Sequence, residues 1–235
     1  MAAKPTTKPH FGPGISFWQP PLHTKTIGCF FSRTLPELIR PLRSTQGTMD
    51  PETVRLLLVG DEKCGKTTFL SRLSAGEGTS PIPILRDIDQ PFVFNINLGE
   101  KKFRLEFSDT SSPDNWRLLD PDVIVICYDI SQRLSLINMK RYWIDEAKRT
   151  FKRVDTLPII ILGLKRDLRS ENDPNGIIYP QEAYQLAQTM RADRYVECSA
   201  ATGELLKPAF EDICKTATKT TTAAGGQSEG GCIVM

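Results

Sequence analysis

The sequence predicts an α/β domain: a mostly parallel six-stranded sheet with helices on both faces. Three observations carry this prediction. From Thr53 onward, strand-like apolar runs alternate with stretches of helical spacing, the mark of strand–helix–strand crossovers. The runs at 122–128 and 158–162 are almost wholly apolar, as strands covered on both faces must be. Gly60-Asp61-Glu62-Lys63-Cys64-Gly65-Lys66-Thr67 fits the pattern G-x-x-x-x-G-K-[ST] between an apolar run and the start of a helix, the context that this pattern requires.

The elements follow in order. Residues 54–59 read as a buried strand that leads into the glycine-rich loop, and 69–73 as the start of a helix. A Gly/Pro/Asp-rich linker without period covers 76–91. Residues 92–98 and 102–107 both alternate apolar with polar around Gly99-Glu100, which reads as a hairpin. Leu136, Met139, Trp143, Ala147 and Phe151 have helical spacing. A helix at 180–190 starts on a proline, which suits a first helical position. A short strand at 195–198 and a helix at 204–216 complete the domain, with Pro208 tolerated in the first turn or so of that helix.

Composition bounds the rest. The chain of 235 residues suits one domain with tails, and 40% apolar residues suffice for a core. A net charge of +2 gives no reason to expect a nucleic-acid surface. The six cysteines have no paired spacing, which fits a reducing compartment. No apolar run is long enough to span a bilayer. Residues 1–49 are rich in Pro, Thr, Lys and Arg, and their first acidic residue is Glu37. They read as a disordered extension. A transit peptide and a natural start at Met49 compete with that reading. The domain then spans 50–217, and 218–235 form a Thr/Ala/Gly/Ser-rich flexible tail.

The chemistry starts at the glycine-rich loop. Backbone N–H groups across Gly60, Asp61, Glu62, Lys63, Cys64, Gly65, Lys66, Thr67 and Thr68, with the positive end of the following helix, would hold a di- or triphosphate. Lys66 would reach the outer phosphates. Thr67 would ligate Mg²⁺, with Asp109 as the carboxylate on the same side. Further fragments follow in a fixed order: Asp109-Thr110, Gly163-Leu164-Lys165-Arg166-Asp167-Leu168, Glu197-Cys198-Ser199-Ala200-Ala201, and a terminal Cys232-Ile233-Val234-Met235.

This series resembles the Ras superfamily of small GTPases. Gly-Asp-x-x-Cys-Gly-Lys-Thr at 60–67, Ser135-Leu-x-Asn-Met139, Tyr179-Pro-Gln181 and Tyr195-Val-Glu-Cys-Ser-Ala200 are similar to its Rho/Rac branch. The resemblance covers about 53–217 and the last four residues, and implies a single P-loop G domain that takes GTP or GDP with Mg²⁺. Asp167 would accept the ring N–H and the exocyclic amine of guanine. Lys165 would lie along the base, Ser199 and Ala200 would meet the base oxygen, and Leu164, Leu168 and Ala201 would border it. Effector proteins, with exchange factors beside them, are the implied partners of a monomeric chain. The C-a-a-X end, with Met last, implies a farnesyl group on Cys232 and residence between the cytoplasm and the cytoplasmic face of a membrane, plasma membrane foremost.

The departures from the family pattern bear on mechanism. Glu62 stands where the family has a small residue, commonly Gly, and would crowd the space beside a γ-phosphate. Pro113 stands at the position of the water-orienting Gln, and Ser112 at that of the preceding Gly. No hydroxyl residue lies in 83–91 to serve as the first-switch Thr. The segment 113–122 is short, and the insert after the Lys-x-Asp motif shrinks to about 170–178. Leu164 replaces the Asn or Thr that ties the base motif to the phosphate loop, and Ala201 replaces a Lys. No catalytic residue is assigned. The pattern predicts a switch mostly loaded with GTP. A slow GTPase assisted by partners and a pseudo-GTPase scaffold that binds no nucleotide are the alternatives.

Overall fold

A computed structural model describes residues 50–76, 80–82, 91–109, 116, 118–151, 156–174 and 176–219. Strands β1 (Glu52–Gly60), β2 (Phe92–Leu98), β3 (Lys101–Asp109), β4 (Val123–Asp129), β5 (Ile159–Leu164) and β6 (Arg194–Glu197) form one sheet in the order β2-β3-β1-β4-β5-β6. Only the β2/β3 pair is antiparallel; it turns at Gly99, which takes φ +61°. Helix α1 (Lys66–Ala75) follows the glycine-rich loop. Helix α2 (Arg133–Asn138) runs through a π-helical turn (Met139–Trp143) into α3 (Ile144–Thr150). Helices α4 (Pro180–Thr189) and α5 (Leu206–Lys219) flank β6 in sequence.

The two-residue period of β1 divides the core. Leu56 and Leu58 face one side, where Phe69, Leu70 and Leu73 of α1 and Phe210, Ile213 and Ala217 of α5 cover the sheet. Leu57 and Val59 face the other, against Leu136, Met139, Trp143 and Ala147 with Ala183 and Ala187 of α4. A β-strand places successive side chains on opposite faces, so one strand seeds both layers. The helices on both faces are those the sequence predicts; Leu136, Met139, Trp143 and Ala147 are buried as the spacing expects, Phe151 is only partly buried, and Ser135 and Ile144 are buried as well.

Several strand ends differ from expectation by one or two residues, and two of them border the site. Strand β4 extends to Asp129, and β5 continues past residue 162 through Gly163 and Leu164. Their pairing explains this, since Tyr128 lies opposite Gly163 and Asp129 opposite Leu164. Leu164 is therefore a fully buried strand residue, 1% exposed, and part of the α1/α5 core. The expectations for 1–49, for Pro113 and its neighbours at 110–115, and for the tail beyond 219 fall outside the described residues, as does the 83–90 stretch of the first-switch region.

Because β1, β3, β4, β5 and β6 run parallel, their C-terminal ends share one edge. The order reverses at β1, whose neighbours β3 and β4 lead the chain to opposite sides. A crevice at such a reversal is where open α/β sheets bind ligands.

Candidate nucleotide site

The glycine-rich loop is fixed first by the sheet. A Cβ on Gly60 would stand 2.2 Å from the carbonyl oxygen of Cys127 on β4, and Gly60 takes φ +149°, so no other residue fits there. Gly65 takes φ +113° at the N-terminal end of α1, and Lys63 also has positive φ, at 60°. Lys66 is buried. Its Nζ donates to the carbonyls of Gly60 and Asp61, at 2.9 Å each, with the Cys64 sulfur at 3.9 Å. Among the described residues no carboxylate lies within ion-pair distance of it. Burial pushes the Cys64 thiol up from its ordinary value, against the opposing pull of Lys66. A neutral thiol adds no counter-charge, so among the described residues the ammonium has none.

The Thr67 hydroxyl donates to Asp109 Oδ2 at the end of β3. A hydroxyl beside a carboxylate is a hard oxygen donor set of the kind Mg²⁺ takes, so these residues fit that ion. Glu62 and Lys63 point outward on the rim of the loop, with side chains 81% and 87% exposed and only 3.9 Å contact between their charges. Thr68 is exposed on the first turn of α1.

The opposite end of the site is built from the ends of β5 and β6. Lys165 takes φ +59° and Asp167 sits in a short 3₁₀ turn (Arg166–Leu168). Lys165 Nζ is ion-paired at 2.7 Å with Asp129 Oδ2, and its stem passes Gly65: Lys165 Cε and two Leu164 side-chain atoms each lie 3.7 Å from where a Gly65 Cβ would be. The apolar Leu164 side chain thus lies beside the glycine-rich loop. Asp167 is exposed, and its Oδ1 accepts from Ser199 Oγ at 2.5 Å. Ser199 is completely buried, and its amide N–H donates to the Glu204 carbonyl, so that amide is already engaged. Leu168 and Ala201 are exposed at the border and Ala200 is buried.

Three sets of residues whose roles sequence reasoning left unassigned support this arrangement. Asp129 anchors Lys165 and, through Oδ1, also accepts from the Ser131 amide and hydroxyl. Glu197, 8% exposed, accepts from Arg166 at 2.8 Å, from Arg169 at 2.5 Å and from the Tyr195 hydroxyl, which lies 2.9 Å from that of Tyr128. Arg166 also reaches Glu204, so the turn that carries Asp167 is tied to both the end of β6 and the loop after it. Burial alone would raise the Glu197 carboxyl. The Arg169 hydrogen bond, joined by Tyr195 and Arg166, outweighs burial and holds it below the ordinary carboxylate value. Asn138 and Trp143 both donate to Asp61. An apolar-spacing argument places Trp143 in the core and says nothing of where its N–H points.

This geometry agrees with the similarity to known proteins. A family model described as "Ras family" matches residues 55–219. GTP-binding protein RHO2 of Saccharomyces cerevisiae is 29% identical over 192 residues, 77% of this chain and 95% of that protein. GTP-binding protein RHO1 of Candida albicans is 32% identical over 173 residues, 67% of this chain and 84% of that protein. GTP-binding protein RHO4 of Eremothecium gossypii is 29% identical over 198 residues, 81% of this chain and 74% of that protein. The chain belongs to the Ras family of small GTPases, the class that its sheet order and its loop between β1 and α1 define. Within the family it is a Rho-like member.

Proposed function

We propose that this chain binds a guanine nucleotide at the crevice described above, hydrolyses GTP poorly, and acts mostly GTP-bound as a membrane-associated switch for effector proteins. The observation that carries the proposal is the buried Lys66 ammonium, matched among the described residues by carbonyls and a thiol and by no carboxylate. A buried charge without a counter-charge is costly. An anion delivered to the N-terminal end of α1 supplies the missing partner. At the other end, Asp167 is exposed and available to guanine, while Ser199 orients one of its oxygens and leaves the other open. The Ser199 amide being engaged, the base oxygen falls to Ala200. Thr67 and Asp109 would hold Mg²⁺, which would neutralise phosphate charge there.

Poor hydrolysis rests on Glu62 and Pro113. Glu62 sits on the rim beside the outer-phosphate space, where its charge opposes the approach of a second anion and of a partner's arginine. An arginine finger is worth 10³–10⁵-fold, or roughly 4–7 kcal/mol of barrier, so its exclusion would leave a chain that turns over very slowly. The test is the nucleotide content of the purified full chain, released by denaturation and identified by chromatography. Bound GTP is the expected result. Bound GDP, together with measurable single-turnover hydrolysis, would overturn the claim of poor hydrolysis. An empty chain that takes up neither nucleotide would overturn binding itself and favour the scaffold reading, to which the apolar Leu164 already leans.

Membrane residence rests on the C-a-a-X end at Cys232. No helix among the described residues is long and apolar enough to cross a membrane. One lipid chain without a second signal gives weak and reversible attachment. Lys215 and Lys219 are the last basic residues before Cys232, so the chain should divide between cytoplasm and membrane. Cys232→Ser is expected to move the membrane-bound share into the soluble fraction on sedimentation. An unchanged share would exclude the lipid.

A further inference from the structure

Asp61 is held at both ends. Its carbonyl accepts from Lys66 Nζ at 2.9 Å, and its carboxylate accepts from Trp143 Nε1 at 2.7 Å and from Asn138 Nδ2 at 3.1 and 3.2 Å. The two donors lie five residues apart. At 3.6 residues per turn, an α-helix would place them about 140° apart, on different faces. Here the Ile144 N–H donates to the Met139 carbonyl, five residues back, and the π-helical turn (Met139–Trp143) brings both donors to one side. Such turns recur at functional sites because the extra residue re-aims side chains. The Trp143 ring is fixed by its neighbours. Trp116, fully buried, packs on it at 5.8 Å and 37°, and Tyr142 meets it edge-on at 4.9 Å and 84°.

We propose that Asn138 and Trp143 are positioning residues for the phosphate loop: through the Asp61 side chain they set its backbone, and through the Asp61 carbonyl they set the Lys66 ammonium. The inference rests on the nucleotide-binding reading above and adds to it two residues on a different element. They touch no ligand themselves. They reduce the freedom of the loop before binding, which slows release of whatever the loop holds.

The test uses the full chain and two readouts. The first is hydrogen exchange at the loop amides 63–67 without nucleotide. The second is the release rate of a fluorescent GDP analogue. At position 143 the isostere 3-benzothienylalanine keeps the bicyclic ring and removes only the N–H, and Asn138→Ala removes the amide. Each is expected to speed both loop exchange and GDP release by about tenfold, the scale of one hydrogen bond to a charged group. In an Asp61→Ala background neither should have further effect, because the acceptor is gone. Changes below about twofold in both readouts, or effects that persist in the Asp61→Ala background, would overturn the proposal, since a merely packing role does not depend on Asp61. If the parent binds no guanine nucleotide, the proposed function fails by that result, and the exchange measurement still decides the positioning role.

Discussion

Lys66→Ala is expected to strip nucleotide from the chain, whereas Asp167→Asn should leave it loaded but undiscriminating. On the proposed reading the two ends of the crevice do different work, and Lys66 offers charged N–H groups to phosphate oxygens. Two such bonds at about 1.5–3 kcal/mol each make the loss roughly 10²–10⁴-fold in affinity. Asp167 takes no part in that grip. Its exposed carboxylate, oriented by Ser199, is an acceptor for two donors on guanine, and adenine offers a different pattern. An amide accepts at one atom and donates at the other, so it mismatches guanine without removing the pocket. GTP-over-ATP preference should fall by at least about tenfold, read by competitive displacement of a fluorescent GDP analogue. Undiminished binding in Lys66→Ala would refute the phosphate assignment. An unchanged base preference in Asp167→Asn would refute the base assignment, whatever becomes of the first.

Glu197→Ala should cost about 3–5 kcal/mol of stability in urea unfolding, the range for removing one partner of a buried ion pair. The figure follows from what is left behind. Glu197 and Arg169 have side chains 6% and 13% exposed, so the substitution strands a shielded guanidinium and the Tyr195–Tyr128 hydroxyl pair. Glu197→Gln keeps the shape and should cost less. A loss below about 1 kcal/mol for Glu197→Ala would show that the cluster is solvated in the native chain. The pH dependence has a definite sign. The native carboxyl lies below its ordinary value, so its contribution is fully present above the unfolded value, about 4.3, and is lost as the pH falls through the depressed native value. Parent stability should therefore drop on acidification below that point more steeply than that of Glu197→Gln.

Much of the fold was legible because it depends on local pattern. Continuous apolar runs located β1, β4 and β5, alternation located the hairpin, and Pro180 marked the start of α4. The shape of the glycine-rich loop was legible because its motif encodes backbone conformation. The unread parts involve pairs far apart in sequence. Asp129 reaches Lys165, 36 residues away, and Asn138 and Trp143 reach Asp61 across 77 and 82. Helical spacing assumed one regular helix over 135–151. Leu136, Met139, Trp143 and Ala147 fit an α pattern well enough to hide the wider turn among them. In the sequence the continuous apolar run ends at Leu162, which leaves Leu164 outside the expected strand. Pairing with Asp129 on β4 carries the strand two residues further, a long-range effect that no window on β5 contains.

The close approach of Gly60 to the Cys127 carbonyl separates two kinds of constraint within one motif. The neighbouring strand dictates Gly60, with or without a ligand, since any side chain there collides with backbone. Lys66 is under no such compulsion. A descendant that had abandoned phosphate would gain by trading its buried ammonium for something neutral, while still being obliged to keep Gly60. The first glycine of the signature is therefore a fossil that would outlive the function, and the lysine is the letter that selection erases first. In this chain that letter is still written.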